Sequence, residues 1–281
     1  MQIKRRPGPT VRAKVRTIGD DIDVIRRDDI ATEEPLEIRL AAGADRKTIA
    51  VTMRTPGHDF ELAAGYLAGE GVIASNDDLV RVDYCTDMDL SAEQQYNVVT
   101  VTLRGSTLPE LDRLDRHGYT SSACGVCGKA DIEALQLRCG AVDFGGTVAA
   151  ETLYSLPDAL KRAQDVFART GGIHAAGLAT LEGDLLISRE DVGRHNAVDK
   201  VIGHQLLAGG VIAPSSILTV SGRTSFEIVQ KAVAAGIPIV AGVSAPSSLA
   251  VELAEEFGVT LIGFLRGRRA NVYSHTDRVI V

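Results

Sequence analysis

The chain has 281 residues, enough for one large or two modest domains with a substantial core and no need of covalent staples. Thirty basic against 37 acidic side chains leave a net charge of −7, the wrong sign for a general nucleic-acid binder. Six Phe, six Tyr and no Trp are too few rings for a base-stacking platform. Gly, at 28 residues, exceeds its usual share of ~7%. With so few aromatics this points to the tight turns and close backbone approaches of α/β nucleotide folds.

The four cysteines, Cys85, Cys124, Cys127 and Cys139, are too few and too unevenly spaced for a disulfide scaffold. No apolar run approaches the roughly 18 residues of a membrane span, so a cytoplasmic protein without membrane or nucleic-acid partners is expected. The N-terminus carries Lys4, Arg5, Arg6, Arg12, Lys14 and Arg16, interrupted by Pro7 and Pro9 and followed by no apolar stretch. Residues 1–15 therefore read as a flexible basic arm rather than a signal peptide.

Residues 16–116 read as a strand-rich α+β domain. Alternating or β-branched runs predict strands over 11–18, 35–40, 48–54, 79–85 and 96–104, with a helix over 57–68 stopped by Gly69 and Gly71. Residues 105–152 read as a transition, with short helices expected over 108–114 and 129–137, and 117–152 hold the C-x-x-C loop and its connecting helix. Between those helices lies a loop rich in Gly and Ser, of a length more often functional than not. Over 153–281 the texture becomes strand–helix–strand. Helices are expected over 157–169, 193–207, 225–235 and 247–257. Strands are expected over 175–180, 184–188, 217–220, 238–243 and, last, 260–265. Such alternation implies right-handed crossovers and a parallel sheet.

The sharpest chemical feature is Ser121-Ser-Ala-Cys124-Gly-Val-Cys127-Gly-Lys129. Two thiols three residues apart at the start of a helix, with Lys129 beside them, favour a thiolate able to attack a disulfide or persulfide sulfur. A zinc half-site recruiting Cys85, Cys139 or His117, a thioredoxin-like redox pair and two unreactive loop thiols are the other readings of this motif. Cys85 and Cys139, at the ends of an apolar strand and a helix, read as buried packing residues.

A second constellation lies where the predicted parallel strands end. Ser221-Gly-Arg-Thr-Ser225 and Ser244-Ala-Pro-Ser-Ser248 each open a helix, and Leu265-Arg-Gly-Arg-Arg269 follows the last strand. Helix N-termini rich in hydroxyls, ringed by Arg223, Arg266, Arg268 and Arg269, suit the phosphates of a nucleotide or dinucleotide. The same residues also read as ordinary helix caps and a solvated rim. Asp191, His195 and Asp199 recur at a spacing of four and are expected on one helical face, as a cofactor-positioning or a purely structural stripe. His174 is expected at the mouth of a strand.

These strings resemble the FdhD family, the formate dehydrogenase accessory sulfurtransferases. The resemblance rests on Ala123-Cys-Gly-Val-Cys-Gly128, Thr170-Gly-Gly-Ile-His-Ala-Ala176 and Arg189-Glu-Asp-Val-Gly-Arg-His-Asn-Ala-Val-Asp-Lys200. It rests also on Ser221-Gly-Arg-Thr-Ser225, Gly242-Val-Ser-Ala-Pro-Ser-Ser248 and Leu261-Ile-Gly-Phe-Leu-Arg-Gly267. It runs from about residue 55 to the C-terminus. It implies a cytidine deaminase-like α/β C-terminal domain with a mixed, largely parallel sheet. The deaminase zinc motifs are missing, since His174-Ala-Ala176 and Gly222-Arg-Thr-Ser225 supply neither the Glu nor the cysteines such a centre needs.

The resemblance further implies a sulfurtransferase with no resident metal. It would carry sulfur as a persulfide on Cys124, assisted by Cys127, from a cysteine desulfurase to the bis(molybdopterin guanine dinucleotide) cofactor of molybdenum, and so activate formate dehydrogenase. The cofactor would lie against Phe264, Leu265, Arg266, Gly267, Arg268 and Arg269, with Ser221, Arg223 and Ser247, a site open also to GDP-like nucleotides. A homodimer is expected by the same resemblance. A non-catalytic carrier of the cofactor is the alternative from another class, and a structural zinc protein a third.

Overall fold

The computed structural model describes residues 7–85, 96–109, 135, 139–210 and 215–281. The chain opens on a two-stranded ribbon, β1 (Thr10–Gly19) and β2 (Ile22–Ala31), paired antiparallel from Thr10↔Ala31 to Gly19↔Ile22. Residues 10–15, read both as the end of a flexible arm and, from 11, as the start of a strand, are thus strand. The second strand escapes sequence reading because Arg26-Arg27-Asp28-Asp29 breaks any apolar alternation. Its charges are matched across the ribbon instead, Arg16 to Asp23 at 2.7 Å and Arg12 to Asp29 at 3.4 Å.

β3 (Glu34–Ala42), β4 (Asp45–Arg54), β5 (Leu79–Tyr84) and β6 (Val98–Leu103) form a sheet in the order β4-β3-β6-β5. The alternation predicted for these strands places Leu36, Ile38, Leu40, Val99 and Val101 in a core covered by α1 (Asp59–Gly69), where Leu62, Ala63 and Leu67 are fully buried.

The second half begins at β7 (Val148–Ala149), earlier than the expected boundary at 153. The single helix expected over 157–169 is two, α2 (Ala150–Arg162) and α3 (Asp165–Thr170). Pro157 lies inside α2, which tolerates it because Leu153, Leu156 and Leu160 bury one face of the helix. A new helix starts at Asp165 because the Glu190 carboxylate accepts the Val166 and Phe167 N–H groups at 2.9 and 2.8 Å, so a side chain from another strand supplies the cap.

β8 (His174–Ala179) and β9 (Leu185–Asp191) are followed by α4 (Arg194–Leu207), β10 (Ile217–Val220), α5 (Phe226–Ala234), β11 (Ile239–Gly242), α6 (Ser248–Glu256), β12 (Thr260–Arg266), β13 (Arg269–Val272) and β14 (Val279–Ile280). β14 pairs with β7, and the remainder form a six-stranded sheet in the order β13-β12-β11-β10-β8-β9. Only β10–β11 and β11–β12 are parallel; β8 is antiparallel to both its neighbours and β13 to β12. The sheet is therefore mixed rather than largely parallel. The missed strand β13 folds back through Gly267, whose φ of 53° lets the chain reverse within two residues. Apolar side chains feed both faces. Leu218, Val220, Val240 and Leu261 meet α4, α5 and α6, while Ile217, Ile239 and Ile262 meet α2.

The two halves interlock. α1 and α4 cross so closely that a Cβ on Gly65 would stand 1.8 Å from the Asp199 carbonyl oxygen, and one on Gly203 1.8 Å from that of Glu61. Nearby, Lys200 is buried with Nζ 2.6 Å from Asp191 Oδ2 and donates to the Thr55 carbonyl oxygen at 2.9 Å, while Asn196 donates to the Met53 carbonyl oxygen at 2.7 Å. Gly203→Ala should cost more than about 2 kcal/mol in urea unfolding, because backbone rather than a side chain must give way. Gly145→Ala, with open space around it, should stay within about 0.5 kcal/mol of the parent.

Candidate functional site

The sheet order and strand directions bring the end of β9, the start of β8 and the ends of β10, β11 and β12 to one edge. α4, α5 and α6 all begin there, so three sets of first-turn N–H groups point the same way. The loops are laced together. Thr224 N–H donates to the Ala245 carbonyl oxygen at 3.2 Å and Ser247 N–H to that of Thr224 at 3.0 Å. Phe264 N–H donates to the Ser244 carbonyl oxygen at 3.1 Å. Gly242 and Gly263 permit this, since a Cβ on either would strike Thr224 Oγ1 at 2.5 Å or Pro246 Cδ at 2.9 Å.

At the β8 and β10 end of this edge stand His174, Arg194, His195, Arg223, Ser225 and Glu227. Arg194 and Arg223 are near enough to repel, and neither is ion-paired with a described residue. Arg194 Nε is buried without a hydrogen-bond partner, and its guanidinium is held below the ordinary arginine value by burial and by Arg223. Burial, and then the charge of both arginines, lowers the His174 imidazole against the pull of Asp191. It borders a cavity of about 380 Å³ under α3, lined also by Phe167, Ile173 and Ser221.

His195 lies between two partners, with Nε2 2.9 Å from Ser225 Oγ and Nδ1 3.2 Å from Glu227 Oε2. Burial pushes its imidazole down to about 4; Glu227 opposes this, and Arg194, Lys231 and His174 add to it. It is therefore neutral at neutral pH. The carboxylate fixes the proton on Nδ1, and Nε2 accepts from the serine hydroxyl.

The residues singled out from sequence divide. Ser221 Oγ accepts the Ala175 N–H at 2.9 Å and ties β10 to β8, and Ser247 Oγ caps α6 by accepting the Ala250 N–H at 3.3 Å. Both hydroxyls are thus engaged with backbone. Arg223 faces the edge exposed. Phe264 adopts a φ of 51°, which leaves its ring exposed and sends Leu265, 0% exposed, into the core. Leu265 is thus a wall of the hydrophobic core rather than a ligand contact. Arg266 donates from Nε to the Val243 carbonyl oxygen at 3.1 Å, and Gly267 turns the hairpin that leaves Arg269 exposed. Arg268 turns toward α2, where it pairs with Glu151 and stacks 5.4 Å from the Tyr154 ring centroid.

The expected stripe of Asp191, His195 and Asp199 does not form. Asp191 ends β9 and pairs with Lys200, whereas Asp199 pairs with Lys231 at 2.8 Å, so both carboxylates are structural. Cys85 and Cys139 are half-buried rather than buried, and Cys85 Sγ accepts from Arg39 at 3.7 Å. Cys124 and Cys127, and most of the helices expected around them, lie outside the described residues. The sequence analysis missed Arg194 and Glu227, and Ser225 only as a hydroxyl. The available signal was an arginine beside the starts of α4 and α5.

Fold and site together define an α/β protein with a basic, hydroxyl-lined sheet edge built from three helix starts, an arrangement suited to a phosphorylated ligand. The chain belongs to the FdhD/NarQ family, whose model matches residues 31–280. It is 51% identical over 274 residues to the sulfur carrier protein FdhD of Streptomyces avermitilis, covering 96% of this chain and 95% of that one. It is 45% identical over 281 residues to the protein of the same name from Sulfurisphaera tokodaii, with both chains covered completely. A Desulfotalea psychrophila crystal structure, provisionally assigned as a formate dehydrogenase accessory protein, superposes with a TM-score of 0.76 at 25% identity. That match covers 97% of this chain and all of that one. Among the described residues no helix is long and apolar enough to cross a membrane.

Because the folded-state value of His195 lies below the ordinary 6.5, the unfolded chain binds the extra proton. Its contribution to stability is complete above about pH 6.5 and falls by up to about 3 kcal/mol as the pH drops toward 4. In His195→Gln, urea unfolding at about pH 7 and about pH 4.5 should show a pH-dependent loss smaller by more than about 1 kcal/mol.

Proposed function

We propose that this protein is a cytoplasmic sulfur carrier acting for formate dehydrogenase. A cysteine desulfurase presents a persulfide, and the Cys124 thiolate attacks its outer sulfur. The new S–S bond forms as the donor cysteine leaves as thiolate, which regenerates the desulfurase. Cys127 assists by attacking or relaying that sulfur. The cargo is the molybdenum bis(molybdopterin guanine dinucleotide) cofactor, a substrate that leaves with its sulfur. Two copies of the chain act together as a homodimer.

The observation that carries this reading is the pair of arginines, Arg194 and Arg223, neither of them in an ion pair among the described residues, beside the start of α5. They offer guanidinium forks to the diphosphate of a guanine dinucleotide. Arg266, Arg269 and the exposed Phe264 ring flank the same edge and supply charge and an apolar face for the rest of the ligand. GDP-like nucleotides fit the same groups. The names borne by relatives of 45–51% identity support the sulfur-carrying role. A deaminase-like descent of the C-terminal half is compatible with its mixed sheet, but Ala176 stands where a deaminase needs its catalytic Glu, so hydrolytic zinc chemistry forms no part of the proposal.

Incubation with a cysteine desulfurase and cysteine should add the mass of one sulfur atom at Cys124, and Cys124→Ala should lose both the adduct and the ability to restore formate dehydrogenase activity. An unmodified Cys124, or an active Cys124→Ala protein, would show a cofactor carrier that transfers no sulfur. Arg223→Ala and Arg194→Ala should each weaken GDP binding about tenfold or more at low salt, read by calorimetry, with the difference shrinking as salt rises.

A further inference from the structure

Ser225 and Ser247 occupy equivalent places, each the cap residue of a helix that follows a parallel strand, with φ of −90° and −85° and extended ψ. Ser247 uses its hydroxyl as a helix cap does. Ser225 does not; its side chain makes no cap bond, and its hydroxyl is held 2.9 Å from His195 Nε2. The helix forgoes a favourable interaction, and the first-turn N–H groups of α5 are left without a side-chain acceptor at the place where Arg194 and Arg223 converge.

The charges around His195 identify what its hydrogen bonds respond to. On its own helix stand Arg194 and Asp199, from α5 come Ser225, Glu227 and Lys231, from β8 His174, and from the loop before α5 Arg223. Asp199 and Lys231 lie 2.8 Å apart, and Asp191 and Lys200 2.6 Å apart, yet the Lys231 charge still acts on His195. Arg194, Lys231 and His174 act on it against the single, partly exposed Glu227, and Arg223 bears on His174 and Arg194 in turn. Burial above all, and this positive charge after it, keep a proton off Nε2. An anion between the arginines would offset both.

We propose that Ser225 and His195 form a reversible hydrogen-bond switch: when a diphosphate seats between Arg194 and Arg223, His195 takes one proton from solvent at Nε2, donates it to Ser225 Oγ, and frees the serine hydroxyl hydrogen to bind the phosphate. Nδ1–H stays on Glu227 in both states, so the carboxylate holds the ring and balances its charge. No covalent bond is made or broken. The inference rests on the reading of this edge as the site of a phosphorylated ligand, and adds that ligand capture is linked to proton uptake. Ser225 and His195 are then positioning residues for the ligand, selecting a doubly charged phosphate group over a neutral one.

The probe is diguanosine diphosphate, whose phosphates are both esterified and do not titrate near neutrality. Calorimetry on the full chain, in two buffers of different ionisation enthalpy, should find between half and one proton taken up per ligand at about pH 7. Affinity should rise severalfold on lowering the pH by one unit. In His195→Gln both the uptake and the pH dependence should disappear, while Ser225→Ala should bind severalfold more weakly yet still take up the proton. The imidazole Cε1–H resonance lost in His195→Gln should shift to its protonated position when the probe is added to the parent protein. Binding with no proton exchange, or with an unmoved His195 resonance, overturns the switch and leaves the ligand assignment standing. Failure of the probe to bind at any pH overturns both.

Discussion

The structure depends on the burial of Lys200 against Asp191. A lysine 1% exposed and a carboxylate 0% exposed are each costly to remove from water, and they are tolerated because the ammonium and both carboxylate oxygens are fully bonded. Asp191 accepts from Thr55 N–H, Gly193 N–H and Asn196, and Lys200 donates to the carbonyl oxygens of Thr55 and Glu190. Breaking such a pair on one side leaves a buried charge uncompensated, so the network is satisfied completely or the chain rearranges. The pair sits at the turn from β9 into α4, and it clamps the end of β4 from the other half of the chain onto that turn. Arg194 and His195 are the next residues along.

The glycine contact between α1 and α4 completes this arrangement. Hydrogen bonds fix the first turn of α4, and the approach of Gly203 to the Glu61 backbone fixes its third. Glu61 itself is bound by Arg189 at 2.7 Å and by His204 at 2.9 Å. Burial disfavours its charge, but the arginine and the flanking histidines hold its carboxyl well below the usual carboxylate range. The N-terminal sheet and α1 therefore act on the edge through α4, and also through Lys231 of α5, which lies 5.5 Å from the Tyr66 ring centroid.

Much of this was legible from the residues. The alternation in Val98-Val99-Thr100-Val101-Thr102 and the apolar spacing of α1 and α4 through α6 identify their elements because burial selects one face of each. The edge was legible because strand–helix alternation forces the helix starts together. What escaped lies where local pattern and tertiary partner disagree. β2 is charged because it is exposed, α2 contains a proline because three leucines outweigh it, and β13 follows a turn so tight that no loop marks it. Arg268 read as a phosphate ligand, yet Glu151, far away in sequence, claims it. Asp191, His195 and Asp199 share a spacing of four without sharing a helix, so periodicity alone misassigned their partners.

The ribbon formed by β1 and β2 has a consequence of its own. Opposed residues share a side, so Val11, Val15, Ile22, Val24 and Ile30 lie on one surface, interrupted by Arg26 and Asp28, while Arg12, Lys14, Arg16, Asp23, Arg27 and Asp29 crowd the reverse around Ile18 and Ile25. Its long borders lie outside both main sheets, a shape that invites stacking by stray strands. Alternating cations and anions along the reverse act as gatekeepers, because a wrongly aligned newcomer would set like charges face to face. The same charges that hide the second strand from sequence reading thus guard the ribbon against runaway assembly.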